Sequence, residues 1–404
     1  MKLAIIALAC VTACAAQDFT QRGYLESGLF LFPQSAPNDS GNYVGDELFR
    51  YEASYKITPG LILNGSFDAG IDTHRQIDRA AHLDWQDRGL ARPAFSLRRL
   101  SLVYTKGKFT AEIGKQFIRW GKADILNPTD HFAPKDFLNV TESDFLAIPA
   151  MRLTYDTGSD SFDFVWQARF TPSRTPLLDQ RWTVVPPSAQ PYALIDGGSE
   201  FPGRSSFGAR WNHIGDGYEC SFDYYDGYDN LPLFRVLPDT AAMSVLLQRF
   251  YPELRSYGAD AAVPLRWFTV KGEAAYYGSS TKEADEYVLY VVQIERQIKE
   301  LSLVGGYAGQ AVTNQRGVLN FSPERGFSDS FLGRADYTIG PTRNATLETI
   351  VRLRGSLLRG EYSQTFGQHW RGTAGYAWIR GDESDFLGEY RLNSYGFLSL
   401  RYSF

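Results

Sequence analysis

The chain is short of four things, and each shortage removes a class of protein. Cysteine is scarce: Cys10 and Cys14 fall in the first sixteen residues, so Cys220 stands alone in the rest and no internal disulfide framework is available. No apolar run reaches the roughly 20 residues that a membrane-spanning helix needs. Basic charge is not in excess, with 41 Lys and Arg against 46 Asp and Glu, so nothing in the balance points to nucleic acid. The five histidines, His74, His82, His131, His213 and His369, sit beside no Ser or Asp at a diagnostic spacing. A phosphate-binding Gly loop and a zinc spacing are also missing, so neither a cofactor nor a catalytic centre is expected, and a lone His131 near Asp130 and Asp136 reads as a solvated loop residue.

What is there begins with an address. Lys2 precedes the apolar run Leu3 to Ala9, and small residues then end in Ala13-Cys14-Ala15-Ala16-Gln17. A basic start, a short apolar stretch and an A-x-A-like end predict that residues 1–16 are a cleaved signal peptide, leaving 17–404 as one folded unit. Val11-Thr12-Ala13-Cys14 also has the form of a lipoprotein signal, in which Cys14 would carry lipid.

Aromatics reach 15%, there are 37 glycines, and apolar and polar residues alternate from end to end. In Phe162-Asp163-Phe164-Val165-Trp166-Gln167, Phe, Phe and Trp share one face and Asp, Val and Gln the other, because successive strand side chains point to opposite sides. Phe49, Tyr51, Ala53 and Tyr55 oppose Arg50, Glu52, Ser54 and Lys56 in the same way. Every backbone polar group in hydrocarbon must be paired within the protein, so only helices and closed barrels can span a membrane. With helices excluded, the fold class is all-β: a transmembrane antiparallel β-barrel, its mean hydropathy of −0.29 being an average over lipid-facing and water-facing residues. Cys220 falls on the lipid face.

Turn residues between the alternating runs divide the chain into eighteen strands. The hairpin at Gly355-Ser356 is the weakest, and sixteen is the alternative. Tight connections such as Thr58-Pro59-Gly60 and Lys106-Gly107-Lys108 alternate with longer ones, the pattern of short periplasmic turns and long extracellular loops. Among the long connections, Pro172 to Arg204 contains Pro186-Pro187. Leu231 to Ser256 contains Asp239 to Phe250, which reads as a short capped helix over the rim.

Inward positions collect both signs of charge, among them Arg152, Arg169, Arg210, Lys271, Glu273, Arg334, Asp336, Arg352 and Arg401, which predicts a hydrated lumen with charges paired across strands. An eighteen-stranded barrel is also too wide for its own side chains to fill. The connection from Trp120 to Ile148 is long enough to fold inward and carries Asp124, Asp130, Asp136, Glu142 and Asp144. Arg98, Arg99, Lys115, Arg119 and Lys122 lie nearby, so an eyelet is expected in which acidic loop groups face basic wall groups and select permeants by charge.

The stretch Gly114-Lys115-Gln116-Phe117-Ile118-Arg119-Trp120-Gly121-Lys122-Ala123-Asp124, followed by Asn127-Pro128-Thr129-Asp130, resembles a motif of poorly characterised Gram-negative porin-like outer-membrane β-barrel proteins, and the closing strand ending in Phe404 adds to the resemblance. The resemblance implies residence in the outer membrane among its lipid and lipopolysaccharide, recognition by the insertion machinery through the Phe404 strand, small hydrophilic solutes as cargo, and a homotrimer as an assembly found among porins. The reading is therefore a channel for passive diffusion. A surface barrel that binds or exports a polymer or partner through its loops, and an outer-membrane hydrolase, are the alternatives.

Overall fold

The computed structural model describes residues 18–185, 192–239 and 241–404. The expected leader and Cys14, and the pair Pro186-Pro187, lie outside the described residues.

Eighteen antiparallel strands close into one barrel. In chain order they are β1 (Phe19–Leu31), β2 (Tyr43–Thr58), β3 (Leu61–Asp72), β4 (Phe95–Lys106), β5 (Phe109–Gln116), β6 (Ile148–Asp156), β7 (Asp160–Gln167), β8 (Ser206–Gly215) and β9 (Tyr218–Tyr228). The second half runs β10 (Glu253–Pro264), β11 (Thr269–Gly278), β12 (Glu286–Ile298), β13 (Leu301–Asn314), β14 (Ser330–Thr338), β15 (Arg343–Arg352), β16 (Gly355–Phe366), β17 (Trp370–Gly381) and β18 (Tyr395–Ser403). The weakest expected hairpin is real, with its turn at Leu353-Arg354 between β15 and β16. Each strand pairs with its sequence neighbours, and β1 pairs with β18 from Tyr24↔Ser403 to Leu31↔Gly396. Backbone bonds of 2.9 Å in both directions between Gly23 and Phe404 extend that seam, and the Phe404 ring stacks on Phe49 at 6.2 Å.

The alternation places side chains as the periodicity requires. On β7, Phe162, Phe164 and Trp166 are exposed on the outer surface, while Asp163, Val165 and Gln167 are buried inside. Two of the wall's irregularities bear on the lumen. Between β3 and β4 the register slips, Ser66 facing Arg99 but Phe67 facing Leu97, so Arg98 is the extra residue and both arginines turn inward, Arg98 to Asp144 and Arg99 to Glu112. On β5, Gly114 has φ +125°, and a Cβ there would lie 2.2 Å from the Leu100 carbonyl oxygen, so only glycine fits.

One long connection departs from expectation. Asp239 to Phe250 is not a helix: Leu233–Asp239 and Ser244–Phe250 form a hairpin, and Ala193–Glu200 from the preceding connection adds to it in parallel. The carboxylate of Asp239 does accept bonds from the amides of Ala241 and Ala242, each at 3.1 Å. The capping chemistry is present, but it serves a turn, because Ser244–Phe250 is paired on both sides, with Leu233–Asp239 and with Ala193–Glu200.

The lumen is not uniformly wet. Residues 117–147, between β5 and β6, turn inward, and Ile118, Trp120, Leu126, Phe132 and Val140 become buried against Val165, Tyr225, Ala275, Tyr277 and Leu289 of the wall. An apolar core therefore lies inside the barrel, where each large side chain withdrawn from water contributes roughly 1.5–3 kcal/mol.

Candidate functional site

The inward segment is fixed by its backbone. Asp130 folds it into a tight return: one carboxylate oxygen accepts the amides of Trp120 at 2.6 Å and Gly121 at 2.7 Å, and the other accepts Arg119 at 3.1 Å. Glu273 on β11 then receives the amides of Lys122, Ala123 and Thr129 and the Thr129 hydroxyl, all within 3.0 Å. Lys122 reaches through to Asn212, Ser221, Glu219 and Asp260, at 2.6 to 3.1 Å. Asp124 meets Lys271 at 3.4 Å, and its amide donates to Gln293 at 3.1 Å. These contacts tie the first half of the segment to β8–β12.

The His131 ring stacks on Tyr225 at 5.1 Å and meets Tyr277 edge-on at 5.2 Å. Burial holds the imidazole neutral and pushes its pKa down to about 3. A cavity of about 30 Å3 beside it is lined also by Asp229, whose carboxyl burial raises to about 6.

The second half of the segment is held by a buried charge cluster drawn from three connections and the wall. Asp136 pairs with Arg92 at 2.9 Å and Arg174 at 3.1 Å, and Arg174 also pairs with Asp87 at 2.7 Å. Lys115, brought inward beyond Gly114, completes the set by bonding Asp87 and the Leu97 carbonyl. Burial alone would raise the Asp136 carboxyl, but Arg92 and Arg174 together hold it at about 2. From the next connection Trp182 enters the lumen beside Tyr390 and Tyr395, and Arg181 lies 3.7 Å over the Phe32 ring.

What remains open is a cavity of about 440 Å3 between this segment and β1–β4 with β18. Its basic wall is a row: Arg98 on β4, Arg50 on β2 and Arg401 on β18, with the Tyr24 ring between the last two at 5.6 and 4.1 Å. Opposite them the segment offers Asp144, 2.8 Å from Arg98 and 3.8 Å from Arg50, and Glu142, 3.1 Å from Arg359. Glu26, Asp46 and Glu47 on β1 and β2 also line the space, and one Asp46 carboxylate oxygen is buried there without a partner.

The ten residues expected at an eyelet therefore separate. Arg98, Glu142 and Asp144 line the cavity, and Asp136 lines its edge from within the buried cluster. Arg99 turns to Glu112 at 2.9 Å, Lys115 is buried, and Arg119 packs over Phe145 at 4.1 Å while bonding Asp130. Lys122, Asp124 and Asp130 brace the opposite wall. Of the expected inward charges, Arg152 pairs with Asp163 at 2.7 Å, Arg210 with Asp223 at 3.4 Å, Arg334 with Asp336 at 2.7 Å and Arg352 with Asp385 at 2.9 Å. Lys271 and Glu273 hold the segment as described, and Arg401 pairs with Glu26. Arg169 differs: β7 ends at Gln167, and its side chain is exposed over the Trp85 ring at 5.5 Å. Arg50 is an inward residue of the alternation, but Arg92, Arg174 and Arg181 sit in irregular connections and carry no sequence signal of their role.

No protein-family model and no curated protein sequence matches the chain. Solved structures do match in fold. A BenF-like porin from Pseudomonas fluorescens Pf-5 aligns at TM-score 0.55 and 10% identity, over 96% of this chain and 98% of that one. Pseudomonas aeruginosa OpdK, solved with vanillate, gives 0.53 and 10% over 96% and 99%. Pseudomonas aeruginosa OccK2 (OpdF), in complex with glucuronate, gives 0.54 and 11% over 96% of both chains. At these identities the likeness is one of fold.

Proposed function

We propose that the protein is an outer-membrane channel for passive diffusion of small hydrophilic solutes, and that solutes bearing a carboxylate are the preferred cargo. The observation that carries this reading is the cavity beside β1–β4. A loop braced inward narrows an otherwise wide barrel to a polar cavity, the proposed passage, in which Arg98, Arg50 and Arg401 stand in a row facing Asp144 and Glu142. A guanidinium presents a planar fork that matches a carboxylate, and a row of them lets an anion exchange one partner for the next without full rehydration. Acids along the same passage weaken the hold on any one anion, which a conduit needs more than a tight binding site does. The fold likeness to porins solved with vanillate and glucuronate, both carboxylates, supports the same class.

On this reading residues 1–16 direct export, the aromatic and aliphatic outer face meets lipid, and the long loops face outward. No chemistry is asked of any residue. The test is single-channel conductance of the refolded protein in a planar bilayer, with reversal potentials in a salt gradient and current block by glucuronate. Stable steps with anion preference are expected. A folded barrel that never conducts would overturn the proposal.

A further inference from the structure

Along the outer surface of β8–β10 the residue type changes near the loop end. Outward positions of β9 run Phe222, Tyr224 and then Asp226; those of β10 run Val263, Ala261, Ala259, Tyr257 and then Arg255. Asp226 faces the exposed Phe207 across the β8–β9 pair and Arg255 across the next, so the carboxylate and the guanidinium both sit on the outer face. Ions at lipid-facing positions are costly inside hydrocarbon and tolerated at its edge. The switch therefore marks the headgroup level.

Four guanidiniums gather at that level. Arg204 meets Asp226 at 2.7 Å and lies over Tyr228 at 5.4 Å, and Arg255 reaches the same carboxylate at 3.4 Å. Ring contacts lead from Tyr228 edge-on to Phe170, then tilted to Tyr251 and stacked to Phe201. Arg88 lies over Phe201 at 4.8 Å and donates twice to the Phe170 carbonyl, at 3.0 and 2.8 Å, which puts it beside Arg169. Arg169 covers Trp85, which is exposed and directly follows Leu83–Asp84, the two residues paired alongside Phe95 and Ser96 with Leu83 and Phe95 both exposed.

The cations outnumber their partners. Asp226 serves two arginines, Glu253 is engaged by the Ser280 hydroxyl, and Asp84 is folded back onto the amides of Gln86 and Asp87 at 2.9 and 3.1 Å. Among the described residues, no carboxylate lies within 4.0 Å of Arg88 or Arg169. Burial and then the adjacent Arg169 hold the Arg88 pKa below its usual value, as expected of two neighbouring cations without a counterion.

We infer that this rim binds the phosphate headgroup of an outer-leaflet glycolipid, with Arg88 and Arg169 as the primary fork, Arg204 and Arg255 as flanking contacts, and Trp85 against the sugar–acyl boundary. The inference rests on the outer-membrane reading above, but not on the channel being open. Arginine suits a phosphate because its donors match two oxygens at once, and an amphipathic indole is at home where headgroup meets chain.

The test is native mass spectrometry of the full chain in detergent, titrated in parallel with diphosphorylated lipid A, the same lipid stripped of phosphate, phosphatidylglycerol, and inorganic phosphate. Diphosphorylated lipid A is expected to bind, and Arg88→Gln/Arg169→Gln is expected to weaken it at least about tenfold, since even one charge-assisted hydrogen bond is worth that factor. Lys106→Gln/Lys108→Gln, at the opposite end of the barrel, removes equal charge and should leave binding unchanged. Equal binding of the phosphate-free lipid, or an unaltered affinity in the arginine variant, would overturn the inference. Equal binding of phosphatidylglycerol would replace the glycolipid by any anionic lipid, and binding of inorganic phosphate alone would remove the lipid. Conductance measured on the same samples separates this outcome from that of the channel: a conducting barrel without lipid refutes only the rim site.

Discussion

The two sides of the lumen use the same residue types to opposite ends. Against β8–β12, Glu273, Asp130 and His131 are buried struts: the two carboxylates accept backbone amides, and the imidazole packs between two tyrosine rings. Against β1–β4 and β18, Arg50, Arg98, Arg401 and Asp144 border open space, with Arg50 held by both oxygens of Asp68 at 2.8 Å, Arg98 by Asp144 at 2.8 Å and Arg401 by Glu26. What differs is how completely each group is enclosed. A desolvated ion must keep its partner, whereas an ion beside water can trade its partner for a passing solute. One side therefore holds the loop so that the other side can stay open.

The largest expected effect comes from the bridge between the two sides. Asp136→Asn leaves Arg92 and Arg174 without their shared carboxylate, and removing one member of a buried pair costs roughly 3–5 kcal/mol. Residues 132–147 should detach, with larger and noisier single-channel steps; an unchanged conductance would show that the apolar core alone holds the loop. Glu273→Ala should act in the same direction but less, roughly 1.5–3 kcal/mol, because it removes an acceptor of backbone amides and opens no new ion. Faster hydrogen exchange at Lys122, Ala123 and Thr129 is the readout. The triple change Arg50→Gln, Arg98→Gln, Arg401→Gln should leave the loop in place and shift permeability toward cations by about tenfold, the lower end of what focused charge supplies. A reversal potential that does not move would assign the arginines to structure.

The smallest effect is in pH. Asp136, held at about 2 rather than 3.8, contributes stability that is full above 3.8 and lost as pH falls through 2. His131, held near 3 rather than 6.5, favours the docked loop above 6.5 and progressively less as pH falls toward 3. Asp229, raised from 3.8 to about 6, works the other way: its contribution is full below 3.8 and disappears as pH rises through 6. The last two oppose each other between pH 6 and 4. His131→Phe, which keeps the ring between Tyr225 and Tyr277, should therefore make the loop more resistant to proteolysis at pH 4.5 than at pH 7. Equal resistance at the two values would remove Asp229 from the account.

Period-two alternation made the wall legible, because lipid outside and water inside impose one rule on every strand. It made the loop acids legible as a cluster but not their fates, since Asp124, Asp130 and Asp136 differ only in what folds over them. Arg92, Arg174 and Trp182 were out of reach because irregular connections follow no period. Asp239 to Phe250 misled for a related reason: Asp at a cap and a run of Ala and Leu satisfy a helix as well as a hairpin, and the pairing with Ala193–Glu200, some fifty positions earlier, decides between them.

The seam between Tyr24 and Ser403 has a consequence for assembly. It joins segments from opposite ends of the sequence, and without β18 the wall would present two unpaired edges, on β1 and β17. Loop closure over that span is slow relative to hairpin formation. A lesion in residues 395–403 therefore bears on closure itself, and the expected outcome is a lower yield of closed barrel with more aggregate, and no partly active form.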